Sequence, residues 1–116
     1  MDARIKHEGD TARIRLRGGL DISTEHELHQ AVGALDRAGS RRIRIDLSGV
    51  DFIDSRGLSA LLAIHKEWRG RSRAVAFLGP LQPAVQRVLD VTRVDDELSF
   101  VQPSRPDGGG SARGST

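Results

Sequence analysis

The chain has 116 residues, 18 of them Lys or Arg and 16 Asp or Glu, for a formal net charge of +2 and no cysteine. That length supports one domain with a single modest core. Missing cysteines exclude disulfides and thiolate metal sites, the near-balance of interspersed charge argues against a dedicated nucleic-acid binder, and no apolar run reaches membrane-spanning length.

From the N-terminus, Met1–Asp10 is charged and holds no signal-peptide core, which with the absent cysteines points to the cytosol. Ile5 and His7 predict a short first strand, Gly9-Asp10 a turn, and Ala12–Arg17 a strand of period two. Arg13, Arg15 and Arg17 fall on the outer face of that strand. Gly18-Gly19-Leu20-Asp21 reads as a loop. Ser23 or Thr24 is expected to cap a helix with Leu28, Ala31, Val32, Leu35 and Ala38 on one face, ended by Gly39. Arg41, Arg42 and Arg44 lead into a strand, Arg42–Leu47, which turns Ile43, Ile45 and Leu47 to one side. Each arginine group reads as a solvated face.

Ser48–Asp54 is expected to connect that strand to a second helix. From Leu58 the residues Leu58, Leu61, Leu62, Ile64, His65 and Trp68 fall near helical spacing, and Gly70 with Arg69, Arg71 and Arg73 fits a helix end. Ala74–Leu78 is near-continuously apolar, the pattern of a buried central strand, broken by Gly79-Pro80. Pro83–Val91 predicts a helix with Val85, Val88 and Leu89 inward, and Leu98–Val101 a last short strand. Phe52, Phe77, Phe100 and Trp68 all stand in apolar contexts and form no base-stacking series. Residues 103–116 (PSRPDGGGSARGST) are expected to be a disordered tail after a domain spanning 1–102.

Strands alternating with helices imply an α/β fold, with a largely parallel sheet after an N-terminal hairpin. Two segments then stand out, Gly18–Asp21 and Ser48–Asp54, because each follows a strand and precedes a helix. Parallel strands would bring Asp21 and Ser55 to one carboxyl-end edge of the sheet, where functional groups concentrate in open α/β sheets.

Ser55 sits where the apolar run ends and the amphipathic helix begins. Asp54 suits the N-cap position, with Ser55 as the first helical residue, and Ile53 and Leu58 have the spacing of a hydrophobic staple. On local physics alone a cap is the simpler reading. The first backbone N–H groups of such a helix lack partners and favour negative charge, so a phosphate on Ser55 would be tolerated.

Other chemistry is sparse. A nucleophile elbow needs glycine two residues before the serine, and Ile53 stands there. His26 and His29 lie three apart on a solvated helix face, without the spacing of a zinc protease. His65 reads as a histidine packed at the edge of the core. Asp46, Asp51 and Asp54 are spread over a strand and a loop, and Gly108-Gly109-Gly110 lies in the tail, so neither a metal site nor a phosphate-binding loop is expected.

Three segments carry a resemblance. Arg44-Ile45-Asp46-Leu47-Ser48-Gly49-Val50-Asp51-Phe52-Ile53-Asp54-Ser55-Arg56-Gly57-Leu58 resembles the signature of STAS-domain anti-sigma factor antagonists. Gly18-Gly19-Leu20-Asp21 is similar to that family's first loop, and Leu78-Gly79-Pro80-Leu81-Gln82-Pro83-Ala84-Val85 to its last strand-to-helix turn. The resemblance covers about residues 4–102 in order. It implies a single STAS domain with a mixed sheet of about four or five strands and about three to four helices.

It further implies a bacterial regulator of transcription, not an enzyme, with no cofactor or metal. The unphosphorylated form would bind an anti-sigma factor that is also a serine-protein kinase, releasing a sigma factor. Phosphorylation of Ser55 would end the complex, and a PP2C-type phosphatase would restore it. Asp21, Asp54, Ser55, Arg56 and Gly57 would form the partner-binding surface of a cytoplasmic monomer that touches neither nucleic acid nor membrane. The alternative is a non-switching STAS interaction module of a lipid-transport or stress-signalling assembly. Two positions depart from the family pattern: Arg56 stands where a small or hydroxylic residue is usual, and Gly19 where the first loop usually carries an acid.

Overall fold

A computed structural model describes residues 1–92 and 100–101. The chain runs β1 (Asp2–Glu8), β2 (Thr11–Leu20), α1 (Glu25–Arg37), β3 (Arg42–Ile53), α2 (Ser55–Gly70), β4 (Ala74–Leu78), α3 (Pro83–Thr92) and β5 (Phe100–Val101). One five-stranded sheet has the order β1-β2-β3-β4-β5. β1 and β2 form an antiparallel hairpin through Gly9, at φ +66°, and each later neighbour is parallel. This is the mixed α/β sheet with an N-terminal hairpin that the sequence predicts. The expected tail, 103–116, and Leu98 of the last strand lie outside the described residues.

Alternation along the strands builds the core. Ala12, Ile14 and Leu16 of β2, Ile43, Ile45 and Leu47 of β3, and Val75 and Phe77 of β4 are buried on one face. Against them pack Leu28, Val32 and Leu35 of α1 and Leu61, Ile64 and Trp68 of α2. Val85 and Leu89 of α3 join the same cluster. His65 is buried with them, its ring centroid 6.3 Å from that of Phe77.

Several boundaries differ from the sequence reading. β1 is longer than Ile5–His7, because a charged edge strand needs only backbone pairing with β2. Gly18–Leu20, expected as loop, continues β2, and Ser48–Ile53, expected as a connection, continues β3. The extensions pair with each other, from Arg17↔Gly49 to Leu20↔Ile53, after one register shift between Arg15 and Arg17 and across a second between Gly18 and Gly19. Such irregularities break the period-two pattern, and glycine lacks the β-forming signal of branched and aromatic residues. Gly49 is needed there: a Cβ would lie 2.7 Å from the Leu16 carbonyl oxygen.

β4 lies between β3 and β5 with Val75, Phe77 and Leu78 buried, the interior strand that its apolar run predicts. Two further expectations change. Ala38, expected on the buried face of α1, is its exposed C-cap. Phe52, expected in an apolar setting, is 51 % exposed.

Candidate functional site

The paired ends of β2 and β3 position the site. Leu20 is opposite Ile53 in parallel register, so the segments that follow, Asp21 and Asp54-Ser55, leave the sheet at the same edge. The carbonyl of Leu20 accepts from the Asp54 amide at 3.2 Å, joining the two segments directly.

Asp54 is the N-cap of α2. Its Oδ1 accepts from the Gly57 amide at 2.9 Å, satisfying one of the otherwise orphaned donors of the first turn. Ile53 and Leu58 are both buried, as the staple requires. Ser55 is the first helical residue and exposed. Gly57 is buried against the first segment, where a Cβ would meet the Leu20 carbonyl oxygen at 2.2 Å. The Asp-Ser-x-Gly spacing therefore has a local explanation: aspartate caps, serine faces out, and glycine lets the helix touch Leu20. The first turn of α2 carries no acidic side chain, while that of α1 carries Glu25 and Glu27.

Asp21 closes its own turn. Its Oδ1 accepts from the Ser23 hydroxyl at 2.6 Å and the Ser23 amide at 2.9 Å. These bonds, the Ser23 hydroxyl first, hold its carboxyl below the usual range, so it is ionised at neutral pH. Thr24 occupies the cap position of α1, but its side chain makes no cap bond. Its Oγ1 instead donates to the Gly19 carbonyl at 2.8 Å and accepts from the Asp21 amide at 3.0 Å. The threonine expected as a helix cap is thus a brace for the first loop.

Arg56 reaches across to α1. Its Nε and Nη2 donate to Glu25 Oε1 at 3.1 and 2.8 Å. The Glu25 bond, followed by the charges of Glu25 and Asp54, raises the Arg56 pKa further above its ordinary value. Asp21, Asp54, Ser55, Arg56 and Gly57 are thus gathered at one edge. Sequence reading missed Glu25, whose contact spans 31 positions and leaves no local signal. It also missed two exposed apolar side chains, Ile22 at 64 % and Phe52. Phe52 opens a shallow groove of about 490 Å³ shared with Ile53, Pro83, Ala84, Arg87 and Val88.

Among the described residues no group of three or more His, Asp or Glu side chains is arranged to hold a metal ion. No helix among them is long and apolar enough to cross a membrane.

The Asp54 cap with exposed Ser55, the Gly57 contact and the turn closed by Asp21 thus stand together where the adjacent parallel strands β2 and β3 end. Residues 3–102 match the family described as "Mlab, STAS domain", and the chain belongs to the STAS domain family. It is 25 % identical over 83 residues to the anti-sigma-B factor antagonist of Staphylococcus aureus, covering 72 % of this chain and 76 % of that one. The crystal structure of an anti-sigma factor antagonist from Mycobacterium paratuberculosis superposes with a TM-score of 0.76 at 25 % identity, covering 91 % and 88 % of the two chains. A crystal structure from Thermotoga maritima shares the fold, with a TM-score of 0.76 at 24 % identity and coverage of 88 % and 86 %.

Proposed function

We propose that this protein is an anti-sigma factor antagonist whose grip on its partner is switched at Ser55. The observation that carries the reading is the placement of Ser55: exposed, in the first turn of α2, directly after the Asp54 cap and on the same edge as Asp21. Names borne by the relatives support an anti-sigma factor as the partner class.

In the unmodified state Asp21, Asp54, Ser55, Arg56 and Gly57 form the contact surface for an anti-sigma factor with serine-kinase activity, and its capture frees a sigma factor. That kinase phosphorylates Ser55, and a PP2C-type phosphatase removes the group. The chain acts in the cytoplasm as a monomeric binding protein and as a substrate.

Physical chemistry supports a switch that leaves the fold intact. A phosphate adds close to two negative charges at a helix N-terminus whose first turn has no carboxylate of its own. In a desolvated interface the same charge is costly when no cation is provided, and a loss of about 2.8 kcal/mol weakens affinity a hundredfold. Arg56 is the nearest cation in sequence, but it is held by Glu25.

A second reading, a STAS interaction module insensitive to Ser55, takes support from the family description over residues 3–102. Pull-down from native cytosol with wild type, Ser55→Ala and Ser55→Asp as baits separates the two. The switch predicts an ATP-binding anti-sigma kinase on wild type and Ser55→Ala but not on Ser55→Asp, with phosphate found on wild-type Ser55. Equal recovery of one partner by all three baits establishes the module instead.

A further inference from the structure

The sheet face turned away from α1 and α2 carries a charge pattern that the Ser55 edge does not use. Cross-strand register sets it in rows. Lys6 is opposite Arg13, and Arg13 is opposite Arg44, so three cations stand side by side on three neighbouring strands. Arg4 and Arg15 form the next row, which ends on Asp46. Along β2, Arg17 continues the line beyond Arg15.

Like charges directly opposite each other on a sheet are destabilising. Two acids offset part of this: Asp46 holds Arg15 at 3.7 Å, and Asp2, opposite Arg17 in register, holds Arg4 at 3.2 Å. Among the described residues, no ion pair is found for Lys6, Arg13 or Arg44. Arg4, Lys6, Arg13 and Arg15, with Ile5, line a cleft of about 250 Å³. Within that wall the Nε of Arg13 is buried with no hydrogen-bond partner among the described residues. A buried donor left unpaired costs free energy that an incoming acceptor would recover. Clustered cations, a cleft and an unsatisfied guanidinium N–H together specify an anionic ligand.

We propose that this face docks an acidic polypeptide segment in extended conformation, with carboxylates at alternate positions. Side chains at alternate positions of an extended peptide recur every ~6.6 Å, which is also the repeat of Arg13, Arg15 and Arg17 along β2. The guanidinium fork matches carboxylate geometry, and all but one of the cations in these rows are arginines. A carboxylate side chain can enter the cleft to reach Arg13, where a flat anionic bilayer would rest on the outer arginines. A nucleic acid would find no aromatic side chain among the residues of these rows on which to stack its bases.

The test is fluorescence anisotropy of the full chain with a labelled alternating Glu-Ser peptide of about ten residues, long enough to follow β2. Saturable binding is expected, weakening with salt and weakened about tenfold by the double substitution Lys6→Glu/Arg44→Glu. Arg69→Glu, a reversal on exposed α2, should leave it unchanged. So should Ser55→Asp, which separates this surface from the partner switch. Circular dichroism confirms the fold of each variant, and the neutral pair Lys6→Gln/Arg44→Gln carries the test if the reversals unfold the chain. No saturable binding by wild type overturns the proposal. So does an unchanged affinity in the folded double variant, or tighter binding to oligothymidylate or to phosphatidylserine vesicles.

Discussion

Gly57 is the residue with the least freedom at the Ser55 edge. Its Cα lies so close to Leu20 that an added Cβ would overlap a backbone carbonyl, which has no alternative rotamer. Gly57→Ala should therefore destabilise the fold by about 3 kcal/mol, because strand and helix must separate. Gly19 offers the contrast: its added Cβ would find ordinary contacts with Asp21 and Phe52 at 3.7 Å. Gly19→Ala should stay close to wild type in urea denaturation, and equal losses for the two variants would refute this account. Two glycines of one edge thus differ in kind. Position 57 is dictated by packing, and position 19 is open to a side chain.

At the scale of elements, α1 and α2 are tied at both ends. Arg56 meets Glu25 where they begin, and Arg71 and Arg73 meet Asp36 where α1 ends. Hydrogen bonds from Arg71 first, then Arg73, lower the Asp36 pKa. A depressed carboxylate contributes stability that is present above its unfolded value and lost as pH falls through the folded value. Asp36→Asn should therefore lower stability at neutral pH and flatten the loss of stability below about pH 4. Urea midpoints across that range check it; parallel acid profiles for the two proteins would show that the pair contributes nothing.

How legible these elements were follows from their chemistry. α2 and β4 were read correctly because apolar periodicity and bounding glycines mark them, and the Asp54 cap follows from residue type alone. The ends of β2 and β3 were not, because glycine and register shifts remove the alternation by which strands are recognised. Glu25 was invisible because its partner arrives only through tertiary packing. The first-loop brace was half legible: Thr24 was seen as a polar residue before a helix, but its bond to the Gly19 carbonyl needed the folded turn.

For the whole molecule, a net charge of +2 conceals segregation. The strand face of Lys6, Arg13 and Arg44 is basic, while Asp21, Glu25, Asp51 and Asp54 gather toward the Ser55 edge. Two of the four large apolar side chains exposed among the described residues, Ile22 and Phe52, also stand at that edge. Half-exposed Phe52 contributes little to the core, so Phe52→Ser should change stability by no more than about 0.5 kcal/mol. It should nevertheless weaken capture of the proposed anti-sigma partner, because aromatic side chains of this exposure anchor interfaces. Thermal denaturation and the pull-down above measure the two effects separately. Loss of stability with unchanged capture would place Phe52 in the fold and not in the interface.

The Leu20 carbonyl accepts the Asp54 amide and also forms the wall against which Gly57 rests. One oxygen is therefore the common bearing of the first loop and the start of α2. Neither segment can relax alone, so a partner pulling on Asp21 would also tilt the serine, and a group added to the serine would press back on Asp21. The two are joined through that oxygen, so the Ser23 amide is expected to register a group added to Ser55 without touching it.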